Sequence, residues 1–503
     1  LAVFNKKAAP VVKSSLVGAF HQKLLQTLPQ NRWVQRRLAF SGTALSVCIT
    51  LAGFSLPTLF NPVQAAPSGG KVVGGTGTIS KDDLETIIKQ TSQNMAIDWD
   101  SYNIDATEVV KYIQPNGKSI SLNRILGVNG STIAGRIESN GQVILVNPNG
   151  LVFTESAVLN VGGIIASGLN MNTSDFMNGD YIFDEVVGSE GTVINRGIIN
   201  ASIGGNKVGG NVALIGKQVE NSGLISANLG SVTLAAGKQA VMTFETGGLL
   251  GVRVSKEILQ EELGLDAAVV NSGEINAKGG RVLLTASASR DIFSQAVKGL
   301  DEATSAVVHE DGSFTLGGGA DLVNSGSVDV SSSEYGQSAG QVVVLAENIT
   351  HSGQVVADAN NSTGGGLGGD VELHAMDTTL LTESSVISAS ASESGKAGIV
   401  KVLGDKVGLF DQATVDASGG NGGEIYIGGG IQGKNDQLRN ASFTYVGEET
   451  RVSADGIATQ NSEPEVGNSG DAGTVITFSN DTTRIYGELS ATGGTVQGDG
   501  GFV

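Results

Sequence analysis

The chain of 503 residues sets 31 Lys and Arg against 50 Asp and Glu, a net charge of -19, and carries 73 glycines with only 8 prolines. An acidic balance of this size excludes a nucleic-acid partner, because gripping phosphates takes clustered cations. Scarce proline beside 40% hydrophobic residues excludes both collagen and a disordered Pro/Gly tract, so the excess glycine points to repeats that grow by stacking.

Residues 1–65 hold no Asp or Glu, and their cations are Lys6, Lys7, Lys13, Lys23, Arg32, Arg36 and Arg37. An apolar run over 38–60 follows, and then Val63-Gln64-Ala65 and Ala66-Pro67. A basic segment, an apolar core and small residues one and three positions before a cut are what export machinery reads. The segment is therefore expected to be a long signal peptide, cleaved between Ala65 and Ala66, with the general secretion machinery and signal peptidase as partners. The run is long enough to span a membrane, but Pro57 and the abrupt Val-Gln-Ala site favour cleavage. Arg36-Arg37 lacks the neighbours of a twin-arginine signal. Cys48 lies in this segment, so the exported chain has no cysteine, and its 24 positive and 50 negative charges leave -26.

Downstream, a short phrase recurs as VINRGIINA (193–201), VENSGLISA (219–227), VVNSGEINA (269–277) and LVNSGSVDV (322–330). Weaker copies lie at 349–357, 381–389, 410–417 and 484–491. The central glycines 197, 223, 273, 326 and 353 are spaced by 26, 50, 53 and 27 residues, read as two single periods and two doubled ones. A second phrase lies between these copies, as in GGNVALIG (209–216), GGRVLLTA (279–286), AGQVVVLA (339–346) and GGDVELHA (368–375). Apolar and polar residues alternate over four to six positions, which turns one face of a short strand inward. Gly and Asn at the joints are expected to supply corners with positive φ, and Asn to form ladders at the turns. Two or three strands per period build one coil of a right-handed parallel β-helix, an all-β solenoid. Hairpins of a sandwich would instead set a spacing of about 8–12 residues. Residues 254–265 and 291–303 break the pattern with helical spacing and are expected to protrude as helices or loops.

One stretch upstream of these repeats carries a set of ordered motifs. Trp99-x-x-Tyr102-Asn103-Ile104, Leu122-Asn123-Arg124-Ile125, Ser131-x-Ile133-x-Gly135, Asn147-Pro148-Asn149-Gly150-Leu151 and Val161-Gly162-Gly163 with Ala166-Ser167 follow one another over about 70 residues. The stretch resembles the secretion domain of two-partner secretion exoproteins, the filamentous haemagglutinin family, nearest the branch of the high-molecular-weight adhesins and haem-haemopexin utilisation proteins. Leu151 and Gly130 depart from the residues common there, and the Asn-Pro-Asn-Leu motif of the other branch is absent. The resemblance implies a chain that crosses the inner membrane, is transiently periplasmic, and is recognised by a dedicated outer-membrane β-barrel transporter with periplasmic recognition domains. It also implies a secreted or cell-surface protein. Asn123, Arg124, Asn147, Pro148, Asn149 and Gly150 are the expected recognition or folding residues, with Asn147-Pro148-Asn149-Gly150 as a tight turn whose Asn side chains bond the backbone.

The expected organisation is a signal at 1–65, a secretion domain at 66–310, and continuing coils at 311–503 that are cut within a longer passenger. Catalytic chemistry is not indicated. His309, His351 and His374 are the histidines after the signal, the last two in the repeat phrases and expected at the outer surface, and without cysteine they make neither a metal site nor a redox site. No Gly-x-Ser-x-Gly elbow occurs. Gly117-Lys118-Ser119 follows Tyr112 where a phosphate loop needs glycine, and Glu372 spoils a calcium nonapeptide at 365–370. Asn200, Asn348 and Asn440 stand in glycosylation triplets. No cofactor is read. The leading function is a self-exporting adhesin whose coils form a stalk facing a host-cell or surface glycan target. The alternative is a haem-scavenging or contact-dependent toxin-delivery exoprotein. A β-helical lyase would need clustered Asp, Arg and Lys or paired carboxylates, which are not found.

Overall fold

The computed structural model describes residues 66–503 apart from 204–207, 246–247, 257, 265, 288–305, 309–313, 317–318, 335, 361–364, 436, 458–469 and 497. Residues 1–65, including Ala65, the helical stretch expected at 291–303, and His309 lie outside the described residues.

Short strands stack on their own counterparts one turn later. On the first face Gln142–Val146 pairs with Gly163–Ser167, which pairs with Asn211–Gly216. On the second face Leu151–Phe153 pairs with Thr192–Asn195, and on the third Val158–Val161 pairs with Ile198–Ile203. All these pairings are parallel, and Gln341–His351 and Asp370–Leu381 each run from the first face into the second. The chain is the expected right-handed parallel β-helix, with coils about 4.8 Å apart. Alternation explains the interior: Val143 and Leu145, Ile164 and Ala166, Val212 and Leu214, and Val232 and Leu234 share one continuous core. Each Val or Leu enclosed there contributes about 1.5–3 kcal/mol.

Alternation does not explain the outer side of the first face, where Leu122, Ile144, Ile165, Ile215 and Ala235 are also buried. The helix Thr173–Asn178, ended by Gly179 at φ 90°, and the antiparallel strands Tyr181–Asp184, Gln239–Glu245 and Gly248–Lys256 cover it. They contribute Phe176, Phe183, Ala240, Met242 and Val254 to a second core. Val254 therefore belongs to a strand, and the helix expected over 254–265 shrinks to the single turn Gln260–Leu263. The β-branched Val252 and Val254 favour extended backbone, and the burial of Val254 outweighs the helical spacing.

The doubled periods are not doubled. Val219 is the register partner of Val269, and Val269 of Leu322, so each interval is one coil with an insertion. The first insertion contains the paired strands Gln239–Glu245 and Gly248–Lys256. A segment that leaves and returns at a corner lengthens the chain without adding to the ladder.

The phrase glycines also have a different reason from the one expected. Gly223, Gly273, Gly326 and Gly353 are not among the positive-φ residues. A Cβ on each would overlap the carbonyl oxygen of the glycine one coil before it, at Gly197, Gly223, Gly273 and Gly326 respectively. Stacking at coil distance is what demands glycine there. At the amino-terminal end Lys71–Gly74 pairs antiparallel with Asn94–Trp99, and Gly77–Lys81 with Glu85–Gln90. Val72 and Ile79 pack onto the core from these strands.

Candidate functional site

Asn123 is an inward-facing position of the strand Ile120–Ile125, in register with Ile97 on one side and Leu145 on the other. A fully buried amide in an apolar column must be bonded. Its Oδ1 accepts the indole N–H of Trp99 at 3.0 Å, and its Nδ2 donates to the carbonyls of Ser121 at 3.1 Å and Ile144 at 3.3 Å. Trp99 stands edge-on to Tyr102, with centroids 5.5 Å apart, and the Tyr102 and Tyr112 hydroxyls meet at 2.6 Å. Burial pushes both phenols well above their usual range. The first two motifs are thus one buried network.

Arg124, the next residue, faces outward. It forms a fork onto Asp98, Nε to Oδ1 at 2.8 Å and Nη2 to Oδ2 at 3.1 Å, and its Nη1 donates to the carbonyl of Met171 at 3.3 Å. Such bidentate pairs fix geometry as well as adding energy. Neither Asp98 nor Met171 was singled out in the sequence, since both partners are set by coil stacking.

Asn147-Pro148-Asn149-Gly150 forms a tight turn at the corner between the first and second faces. The N–H of Asn149 donates to Asn147 Oδ1 at 3.0 Å, and the N–H of Gly150 to the Asn147 carbonyl at 2.9 Å, with Gly150 at φ 104°. Asn147 Nδ2 donates to the Asn129 carbonyl and to Ser131 Oγ, both at 3.0 Å, and Asn149 Nδ2 to the Gly127 carbonyl at 2.9 Å. The N–H of Asn147 reaches Ser167, and the Pro148 carbonyl accepts from Gly191. The turn therefore joins the coil before it to the coil after it. Asn123 and Asn147 are fully enclosed, whereas Pro148 and Asn149 are half-buried.

A polar column runs through the core beyond this motif. Asn195 donates to Asn221, Asn221 to Asn271 and Asn271 to Asn324, each at 2.8 Å, and Asn324 meets Nδ1 of His351 at 3.1 Å. All five are at most 1% exposed. His351 was expected at the outer surface; it lies in the core because it occupies the ladder position one coil after Asn324. Burial lowers its pKa from 6.5 to about 4. His374 is partly buried, with Nδ1 3.5 Å from Glu372. Ala66 is 6% exposed, and its N–H donates to the Asn103 carbonyl at 3.0 Å. Among the described residues no three His, Cys, Asp or Glu side chains are grouped to hold a metal ion, and no helix is long and apolar enough to cross a membrane.

Known proteins share these features. The model of the TPS secretion domain matches residues 63–330, more than half of the chain. A heme/hemopexin-binding protein of Haemophilus influenzae strain Rd is 33% identical over 226 residues, covering 42% of this chain and 24% of that protein. A second heme/hemopexin-binding protein of the same species is 42% identical over 102 residues, covering 20% and 11%. The chain thus matches less than a quarter of the length of these relatives. The solved HMW1 secretion domain of Haemophilus influenzae superposes with a TM-score of 0.55 at 25% identity, over 87% of this chain and 94% of that one. With the motifs, the coils and the matched span in agreement, the chain belongs to the TPS secretion domain family, the export-directing part of secreted, cell-surface exoproteins.

Proposed function

We propose that residues 66–310 direct export by nucleating the β-helix as the chain emerges, and that residues 311–503 continue it as a stalk serving adhesion. The observation that carries this reading is the enclosure of the motif: Asn123 and Asn147 bond to neighbouring coils and leave little side chain for a transporter to touch. Each orphaned partner would cost about 1–3 kcal/mol, so these residues favour the folded coils over the extended chain. Folding outside the cell then biases movement outward without disulfides, because the coils add one by one. Residues 1–65 act first, as a signal cleaved between Ala65 and Ala66 by signal peptidase after general secretion. The chain is read as a non-enzyme, with a host-cell or surface glycan as the target of the stalk.

Asn147→Ala and Asn149→Ala, assayed for secretion and for stability of the purified protein, test the reading. We expect lost stability and lost secretion together, larger for Asn147→Ala. Lost secretion at unchanged stability would assign the turn to direct transporter contact instead.

Haem capture is a second reading, favoured by the names of the two relatives. His351 is enclosed and His374 is beside Glu372, so neither offers an open axial ligand. Titrating the secreted protein with haem tests it: a shift of the haem absorption band supports this reading, and no shift sinks it.

A further inference from the structure

Five successive coils line an open groove of about 740 Å³ along the corner between the third and first faces. Asn211, Ser231, Arg281, Gln341 and Asp370, the leading residues of successive first-face strands, form one row of register partners along it. The stacked glycines make its floor, where a Cβ on Gly280 would overlap Gly230 and one on Gly340 would overlap Gly280. Leu229 and Leu367 stand at its sides, 42% and 51% exposed.

Two polar columns elsewhere on this solenoid are internally bonded. The asparagine ladder closes on His351, and Asp455 Oδ1 accepts from the Ser490 and Thr492 side chains. In the groove row Arg281 is partnered, and three other members differ. Asn211 is only 7% exposed and its Oδ1 accepts the Ser231 N–H at 3.1 Å, yet its Nδ2 has no partner among the described residues. The side chains of Ser231 and Gln341 likewise bond to nothing described. Amide and hydroxyl groups left open along a groove are the arrangement that a bound ligand completes.

We propose that this groove binds an extended, uncharged β-1,4-linked glycan lying along the solenoid axis. The row repeats once per coil, about every 4.8 Å, close to the advance of one ring in such a chain. A peptide advances about 3.3 Å per residue and falls out of step. Hydroxyls both donate and accept, which suits a row mixing amides, a hydroxyl, a guanidinium and a carboxylate. The glycine floor admits a flat ring, and the two leucines meet its C–H faces. Arg281 and Asp370 cancel in charge, and a chain carrying -26 after residue 65 repels polyanionic glycans. The proposal supplies a chemical class of target for the adhesive reading and rests on it for its biological use alone.

The test is calorimetry on the secreted protein with cellohexaose and chitohexaose, against maltohexaose, a heparin hexasaccharide and hexaglycine as controls. We expect at least one of the first two to bind and the controls not to. Ser338→Trp places a ring into the groove from an exposed position, and Gln341→Ala removes one rung. Each should weaken binding at least tenfold while secretion and melting temperature stay unchanged, which separates this proposal from the export reading. A hydrogen-exchange footprint on the wild type should fall at 230–231, 280–281, 340–341 and 369–370, a readout independent of either variant. Failure of both β-1,4 probes to bind, stronger binding of a control, unaltered affinity in Ser338→Trp, or a footprint elsewhere overturns the proposal.

Discussion

The side-chain amide nitrogen of Asn324 meets Nδ1 of His351 across one coil spacing, at 3.1 Å, and the other ring nitrogen, Nε2, lies 3.4 Å from the carbonyl of Val386. Nδ1 is also 3.2 Å from the backbone carbonyl of Asn324, so the ring is held between two carbonyls and the last amide of the column. The amides of Asn195, Asn221 and Asn271 each donate to the next asparagine, so the column runs in one direction and ends at the enclosed His351 ring.

Stability should depend on pH in part through this ring. Burial lowers the His351 pKa from 6.5 to about 4, so its neutral form contributes fully above about pH 6.5. Between those values the unfolded chain takes up a proton that the folded chain refuses, and the contribution declines; below about pH 4 both states are protonated. The full loss is about 3 kcal/mol at 1.36 kcal/mol per pKa unit. Urea midpoints at pH 7.5, 5.5 and 4, compared with His351→Asn, measure it: the variant should fall less steeply across that window.

Breaking the column in the middle should cost more than an ordinary surface change. Asn271→Leu leaves Asn221 without an acceptor and Asn324 without a donor, both enclosed. Two orphaned groups cost about 2–5 kcal/mol, read as a drop in the denaturation midpoint. Asn200→Leu, at a half-exposed position, should stay within about 0.5 kcal/mol.

The Arg124–Asp98 fork is a measurable coupling. The side chains are 17% and 20% exposed, so solvent screens the pair in part. A double-mutant cycle with Arg124→Ala and Asp98→Ala should give about 1–2 kcal/mol of interaction. A value near zero would mean that the Met171 carbonyl, and not Asp98, is the partner that matters.

Glycine at a coil joint should be more demanding than glycine at a free turn. Gly326→Ala drives a methyl into the Gly273 carbonyl, whereas Gly188→Ala at φ 84° meets nothing within 4 Å. The first should destabilise by about 2–3 kcal/mol, as overpacking does. The second should cost only about 1 kcal/mol of backbone strain. Thermal melting of both variants makes the comparison.

How much the sequence determines follows from the range of the physics. Alternation over four to six residues is local, so the strands at 211–216, 281–285 and 370–375 and the solenoid they imply were legible from composition and spacing. The Asn147–Gly150 turn was legible for the same reason in its local part, the bonds from the Asn149 and Gly150 N–H groups back to Asn147, but not in its bonds to Gly127, Asn129 and Ser131 one coil away. What only the tertiary structure decided are relations between coils. Val219 meets Val269 across an insertion that doubles the chain between them, and no spacing rule distinguishes that from an extra coil. Leu122, Ile144 and Ile165 face outward yet are buried, because Phe176 and Phe183 arrive from a cap far along the chain. His351 sits in the core because stacking places it on Asn324, and the repeat glycines serve carbonyl approach between coils, not turning. Local pattern sets the strand and its inner face; the partner above, the partner below and the cover outside are set by stacking.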